Sequence, residues 1–151
     1  MDKNILGLYP LLIDHLSGVA GVKAVFDAAK LSELLNGSGK GRTTAPVEKA
    51  VYLVFDYARP VSSANNKSQH KVAVGFTAYF VERYYPNSGL NLTQTGEILT
   101  RIMSAVSGFD PKSDDGDYFV ATPFALRDAP AVEYNDGFAL FPVSFECSVI
   151  V

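Results

Sequence analysis

Phe141-Pro142-Val143-Ser144-Phe145-Glu146-Cys147-Ser148-Val149-Ile150-Val151 alternates in a way that only an extended chain explains. Its odd positions, Phe141, Val143, Phe145, Cys147, Val149 and Val151, are apolar. Ser144, Glu146 and Ser148 fall between them. Successive side chains of a strand point to opposite faces, so this pattern predicts a strand with one face in a core and the other largely wet. Cys147, the one cysteine of the chain, sits on the apolar face, where it is expected to act as a small buried hydrophobe in a reducing compartment.

Working back from this strand, the elements come in a definite order. Tyr118 to Phe124 is expected to be a strand broken by Pro123, with Phe109 to Asp117 an acidic loop before it and Arg127 to Gly137 a turn region after it. Asn91, three residues before Gln94, predicts a capping box, and Thr95, Leu99, Ile102, Met103 and Val106 predict the buried face of the helix that follows, stopped by Gly108. Lys71 to Tyr84 alternates over a long run, with Val72, Val74, Phe76, Ala78 and Phe80 on one side. Its length is expected to reflect either a partner contact or a bend at Gly75. Val47 to Tyr57 is apolar on both sides and is expected to be a central strand, joined to Lys71–Tyr84 as a hairpin with a long polar tip, Pro60 to Gln69.

Nearer the start, Ile5, Leu8, Leu12, Leu16 and Val19 follow helical spacing, which predicts a helix from about Lys3 to Leu16. Pro10 requires that this helix either begin near Tyr9 or kink there. A short strand, Val22 to Phe26, and a brief helix capped by Asp27 are expected next, followed by the polar segment Asn36 to Pro46 with three glycines. Hairpin-linked strands with two main helices point to a single α+β domain over residues 1–151, in which the helices cover one face of a mainly antiparallel sheet. Segments 36–45 and 60–69 are expected to be its mobile loops.

At 151 residues and 48% hydrophobic composition, the chain is long enough for one core, burying roughly 70% of the surface of the unfolded form. Eight tyrosines and ten phenylalanines place aromatics on both sheet faces, and a neighbouring subunit explains the second face better than bare solvent. The net charge of -3 argues against a protein that grips nucleic acid through clustered Lys and Arg. The apolar run Ile5–Leu16 is interrupted by Asp14 and His15 and flanked by Asp2, so it fits neither a signal peptide nor a membrane span, and synthesis in the cytoplasm is expected.

Catalytic patterns fail on spacing. Gly37-Ser38-Gly39-Lys40-Gly41-Arg42-Thr43 lacks the Ser or Thr after the lysine, and the first glycine, of a phosphate loop. Asp110, Asp114, Asp115 and Asp117 lack the spacing and closing glutamate of a calcium loop. His15 and His70 have no His or Cys at ligand spacing, and Cys147 has no visible base. No catalytic residue, metal site or cofactor is predicted, and the chain is not expected to be an enzyme.

The order of elements, with Val25-Phe26-Asp27-Ala28-Ala29-Lys30-Leu31 entering a loop and Ala45-Pro46 leading to Val51-Tyr52-Leu53-Val54, resembles the tail terminator (tail completion, minor tail) proteins of long-tailed bacteriophages. The resemblance spans nearly the whole chain and rests on pattern, without a diagnostic motif. It implies a virion protein at the head-proximal end of the tail, made in the host cytoplasm. In that family a ring, usually of six subunits, sits on the last ring of tail tube protein, ends its polymerisation and offers a docking face to the head-tail connector, while DNA passes through the lumen without specific binding. From the residues themselves, Arg42, Lys67 and Lys71 are candidate partner contacts, and Tyr79, Phe80 and Tyr84 are candidates for a seam between subunits. Two other classes stay open: a head-tail joining or neck ring protein, and a small-molecule-binding domain, which needs a concave pocket with converging polar groups.

Overall fold

A computed structural model describes residues 3–27, 46–61, 70–84, 91–135 and 137–151. Its elements run α1 (Tyr9–Ser17), β1 (Val25–Phe26), β2 (Val51–Val61), β3 (Lys71–Arg83), α2 (Leu92–Val106), β4 (Phe119–Arg127), β5 (Glu133–Asn135) and β6 (Phe138–Ile150). The brief helix after Asp27, the segment 36–45, the hairpin tip 62–69 and the turn Pro86–Gly89 lie outside the described residues.

The long alternating runs become the two middle strands. β3 and β6 each hold 13 residues and pair antiparallel without interruption from Lys71↔Ile150 to Arg83↔Phe138. β2 flanks β3 and β4 flanks β6, both antiparallel, while β1 adds two parallel pairs to the start of β2 and β5 covers the start of β6. The sheet order is thus β1-β2-β3-β6-β4, an α+β domain with a mostly antiparallel open sheet.

Period-2 patterning then sets the core. Val72, Val74, Phe76, Ala78 and Phe80 of β3 and Phe141, Val143, Phe145, Cys147 and Val149 of β6 share one face, against Leu8, Leu12, Leu16, Ile98, Ile102 and Val106 from the helical side. Phe76, Phe124 and Phe145 interlock at its centre, with ring centroids 5.2 to 6.1 Å apart. On the opposite face a smaller cluster, Ala50, Tyr52, Val81, Phe138 and Leu140, is buried at the end of the sheet where β1 joins.

Several sequence-based expectations are corrected. α1 starts at Tyr9, so Pro10 falls in the first turn, where a missing N–H costs nothing, and residues 5–8 form turns instead of helix. The first strand is only Val25–Phe26. β2 runs on through Pro60 and Val61, which were expected in the loop, and among the described residues it is flanked by β1 only at Val51 and Tyr52, which makes its distal half an edge of the described sheet. An edge tolerates Pro60, whose absent N–H has no ladder to break. The same reason keeps β4 continuous through Pro123: the strand shifts register between Val120 and Ala125 and carries on. β3 keeps its register with β6 straight through Gly75.

α2 starts as expected, with the Asn91 side chain accepting the Gln94 N–H at 3.2 Å, and ends before Gly108 at φ +82°. Its buried positions are Thr95, Ile98, Ile102 and Val106, whereas Met103 is 39% exposed. Thr95, expected on the buried face, is held there by donating to Glu82 at 3.2 Å. Glu82, itself buried, also takes the Lys49 ammonium at 2.5 Å, tying α2 and the turn before β2 to the end of β3. Replacing Ile102 by Ala should therefore cost about 2–5 kcal/mol of stability. Met103→Ala should stay within about 0.5 kcal/mol, and urea unfolding of both variants checks the stripe.

Candidate functional site

Among the described residues the helices cover one face of the sheet, leaving the other face and the sheet edges without a helix against them. Centred on that helix-free face is a cluster that no local pattern announces. Gly75 of β3 leaves space that the Tyr57 ring fills; a Cβ there would lie 2.4 Å from the ring. Tyr57 thus lies across the middle of the sheet, and its hydroxyl donates to the Glu146 carboxylate on β6, beyond β3. The Arg59 guanidinium sits 4.7 Å and that of Arg127 5.1 Å from the ring centre, a cation–π pair that joins β2 to β4 over the intervening strands. Burial, then the hydrogen bond to Glu146, raise the Tyr57 hydroxyl pKa, with Arg127 and Arg59 pulling the other way.

The bulge in β2 serves the same cluster. The register slips at Asp56, between Phe55 and Tyr57. Its carboxylate accepts from Arg127 and, at 2.6 Å, from Thr77 Oγ1. Because Thr77 has one hydroxyl proton and gives it to Asp56, the contact of 2.7 Å with Ser144 has Ser144 as donor. Arg127 also reaches the Phe76 carbonyl at 3.3 Å. Arg59, with its side chain 67% exposed, stands 3.6 Å from Glu146, a contact worth at most about 1 kcal/mol in water. What the cluster supplies is a fixed arrangement of charge across four strands.

The six residues singled out from the sequence are not gathered in one place. Arg42 and Lys67 lie outside the described residues. Lys71 opens β3, half-buried between Val61 and Ile150. Tyr79 is half-buried beside Tyr52 and Pro142, its hydroxyl pKa raised by burial and by Asp56 and Glu133. Tyr84 is 37% exposed and meets Tyr134 edge-on at 6.2 Å. Phe80 is a correction: it is fully buried on the helix-covered face, where the even positions of β3 point, and has no surface to give a neighbour. Tyr57, Asp56, Arg59, Arg127 and Glu146 went unnoticed in the sequence; the one available signal was Gly75, since a strand glycine marks a bend or a close approach, and here it marks the approach.

Elsewhere the chemistry is structural. His15 gives its Nε2–H to the Ala105 carbonyl at 2.6 Å and stacks on Phe109 at 3.8 Å, flanked by open grooves of about 450 and 710 Å³ between the helices and the loop before β4. Tyr118, buried, donates to the Pro111 carbonyl and anchors that loop. Among the described residues, no group of three or more His, Cys, Asp or Glu is placed to hold a metal ion, and no helix is long and apolar enough to cross a membrane. Cys147 is 1% exposed, and burial, with Glu146 adding to it, pushes its thiol up to about 12.

Among the described residues, the chain offers a partner a sheet with one helix-packed face and a braced cluster of charged and aromatic side chains on the other. The family model described as phage tail terminator protein matches residues 1–151, the full chain, and the chain belongs to that family. It is accordingly a structural component of a bacteriophage tail, part of the virion and a participant in contacts with other tail components. No curated protein matches the chain.

Two predictions follow from the geometry. Gly75→Ala should displace the Tyr57 ring and destabilise the fold by about 1–3 kcal/mol. In a Tyr57→Ala background the same substitution should cost much less, a coupling that a double-mutant cycle measures. Separately, the Cys147 thiol ionises near 9 in the unfolded chain and about 12 in the folded one, so the unfolded state loses its proton first. Stability from this group is complete below pH 9 and is lost as pH rises toward 12. Urea unfolding from pH 8 to 10 should show a decline that Cys147→Ala removes.

Proposed function

We propose that this chain forms a ring, of six copies, on the last ring of tail tube protein, stops the tube from growing, and presents its other rim to the head-tail connector. The observation that carries this reading is membership of the tail terminator family over residues 1–151. The mechanism is surface matching. One rim copies what a further tube ring would bind to, the other rim does not, and polymerisation stops for want of a template. No covalent step is needed, and the chain acts as a structural protein, not an enzyme.

The charge of the chain suits this role. A net charge of -3 gives passing DNA little to bind, because phosphate contacts depend on clustered cations, and a lumen must let DNA through. Arg42 and Lys67, from the two polar segments, supply cations for carboxylates on the tube protein, and Lys71 supplies one for carboxylates on a neighbouring copy. Tyr79 and Tyr84 supply aromatic surface at contacts between copies. The protein is made in the host cytoplasm and ends at the head-proximal end of the tail.

Particles assembled without this protein provide the test. Tails that run past their normal length, and that fail to join heads, are the expected outcome in electron micrographs. Tails of normal length would defeat the terminator role, and a ring found on the portal side of the junction would make the chain a neck protein.

A further inference from the structure

The two edges of the sheet match one another. Val61, at the β2 edge, pairs with Lys71, Lys71 with Ile150, and Ile150 with Phe119 at the β4 edge. Five residues along, Phe55 pairs with Phe76, Phe76 with Phe145, and Phe145 with Leu126. The four outermost residues of these rows are all exposed and apolar: Val61 39%, Phe55 39%, Phe119 63% and Leu126 45%. Each edge thus carries two exposed apolar side chains at the same spacing, roughly 17 Å, one on each face of the sheet.

Strand direction agrees. β2 is antiparallel to β3, β3 to β6 and β6 to β4, so β2 and β4 run in opposite senses. A copy displaced sideways, perpendicular to the strands, brings its β4 alongside β2 in antiparallel orientation, with Phe119 level with Val61 and Leu126 level with Phe55. Charge agrees as well. The loop leading into β4 holds Asp110, Asp114, Asp115 and Asp117, offset in part by Lys112 and by Lys3, which reaches the Gly116 carbonyl. The β2 side offers Arg59, largely exposed, and Lys71.

We infer that the β2 edge of one copy docks against the β4 edge of the next, head to tail, with Val61 meeting Phe119, Phe55 meeting Leu126, and Arg59 and Lys71 facing the aspartate-rich loop. This deepens the ring reading and rests on it. A two-fold pairing of like edges is disfavoured, because it brings the acidic loop of neither copy to the other's Arg59 and Lys71. Nor is the seam a plain extra strand. The Phe124 N–H and carbonyl are already taken by the Phe109 carbonyl and the Gly108 N–H, at 3.0 and 2.7 Å, and Pro60 and Pro123 bring no donors. Side chains at the two ends of the edges carry the contact, while the filled middle of β4 prevents open-ended strand addition.

Paired cysteines test the seam in assembled tails. Cys147 does not interfere, being buried and resistant to ionisation. Val61→Cys and Phe119→Cys in one chain should yield, on mild oxidation, a ladder of covalent multimers up to the full ring. Either substitution alone should yield monomers, and a mixture of the two singles should stop at dimers, since each copy then has one reactive edge. Phe55→Cys with Leu126→Cys provides an independent pair on the other face. A ring visible in the reconstructed tail with no ladder from either pair overturns the seam and leaves the ring reading standing. Dimers from a single substitution would show two-fold pairing and overturn it too. A solitary copy in the reconstruction overturns both.

Discussion

Everything else in this chain hangs on the pairing of β3 with β6. Thirteen residues of each strand match without a slip, and both faces of β3 are buried for most of its length. A one-residue shift would turn Phe76, Phe80, Phe145 and Val149 from the core to the opposite face, so the apolar pattern on two adjacent strands holds the register firmly. Irregularity is confined to the flanks. β2 carries a bulge at Asp56, β4 shifts register around Pro123, and neither disturbs the central pair.

The bulged flanks are where the chain departs from a plain sheet, and the departures have a common result. The slip at Asp56 lets both its carboxylate and the Tyr57 ring serve the helix-free face, while Arg127 comes from the far edge to meet them. Gly75 gives up side-chain packing in a central strand, a local weakness, in return for the ring that spans it. Two edge strands that share no backbone hydrogen bond are thereby braced against one another. Such bracing limits twisting of the sheet, which matters for a subunit whose partners read its shape.

How much of this could be read in advance follows the range of the interactions. The β6 alternation, the length of β3, the Asn91 cap and the Gly108 stop are local patterns, and they reappear at the expected positions. Ile98 was missed for Met103 because the two lie on opposite margins of the stripe set by Thr95, Ile102 and Val106, and helical spacing alone does not say which margin meets the core. Pro123 was read as a break because a sequence does not say that its strand lies at an edge. Phe80 was placed at a seam because alternation shows that two faces exist without saying which one the helices take. The Tyr57 cluster was the least legible part: its members come from three strands, and Arg127 stands 70 positions from Tyr57 in the chain.

The proposed termination by surface matching places a demand on the subunit. A subunit that ends a polymer must differ at its two rims yet repeat faithfully around the ring, so the ring contacts and the rim contacts need separate surfaces. A five-strand path supplies that division: its two lateral edges lie across the strands, while the strand ends lie along them. Lateral edges with unlike charge favour head-to-tail repetition over two-fold pairing. In the proposed ring the strand ends would then be left for the tube on one side and the connector on the other. Burial of β3 on both faces for most of its length holds the lateral edges and the strand ends at a fixed angle to one another.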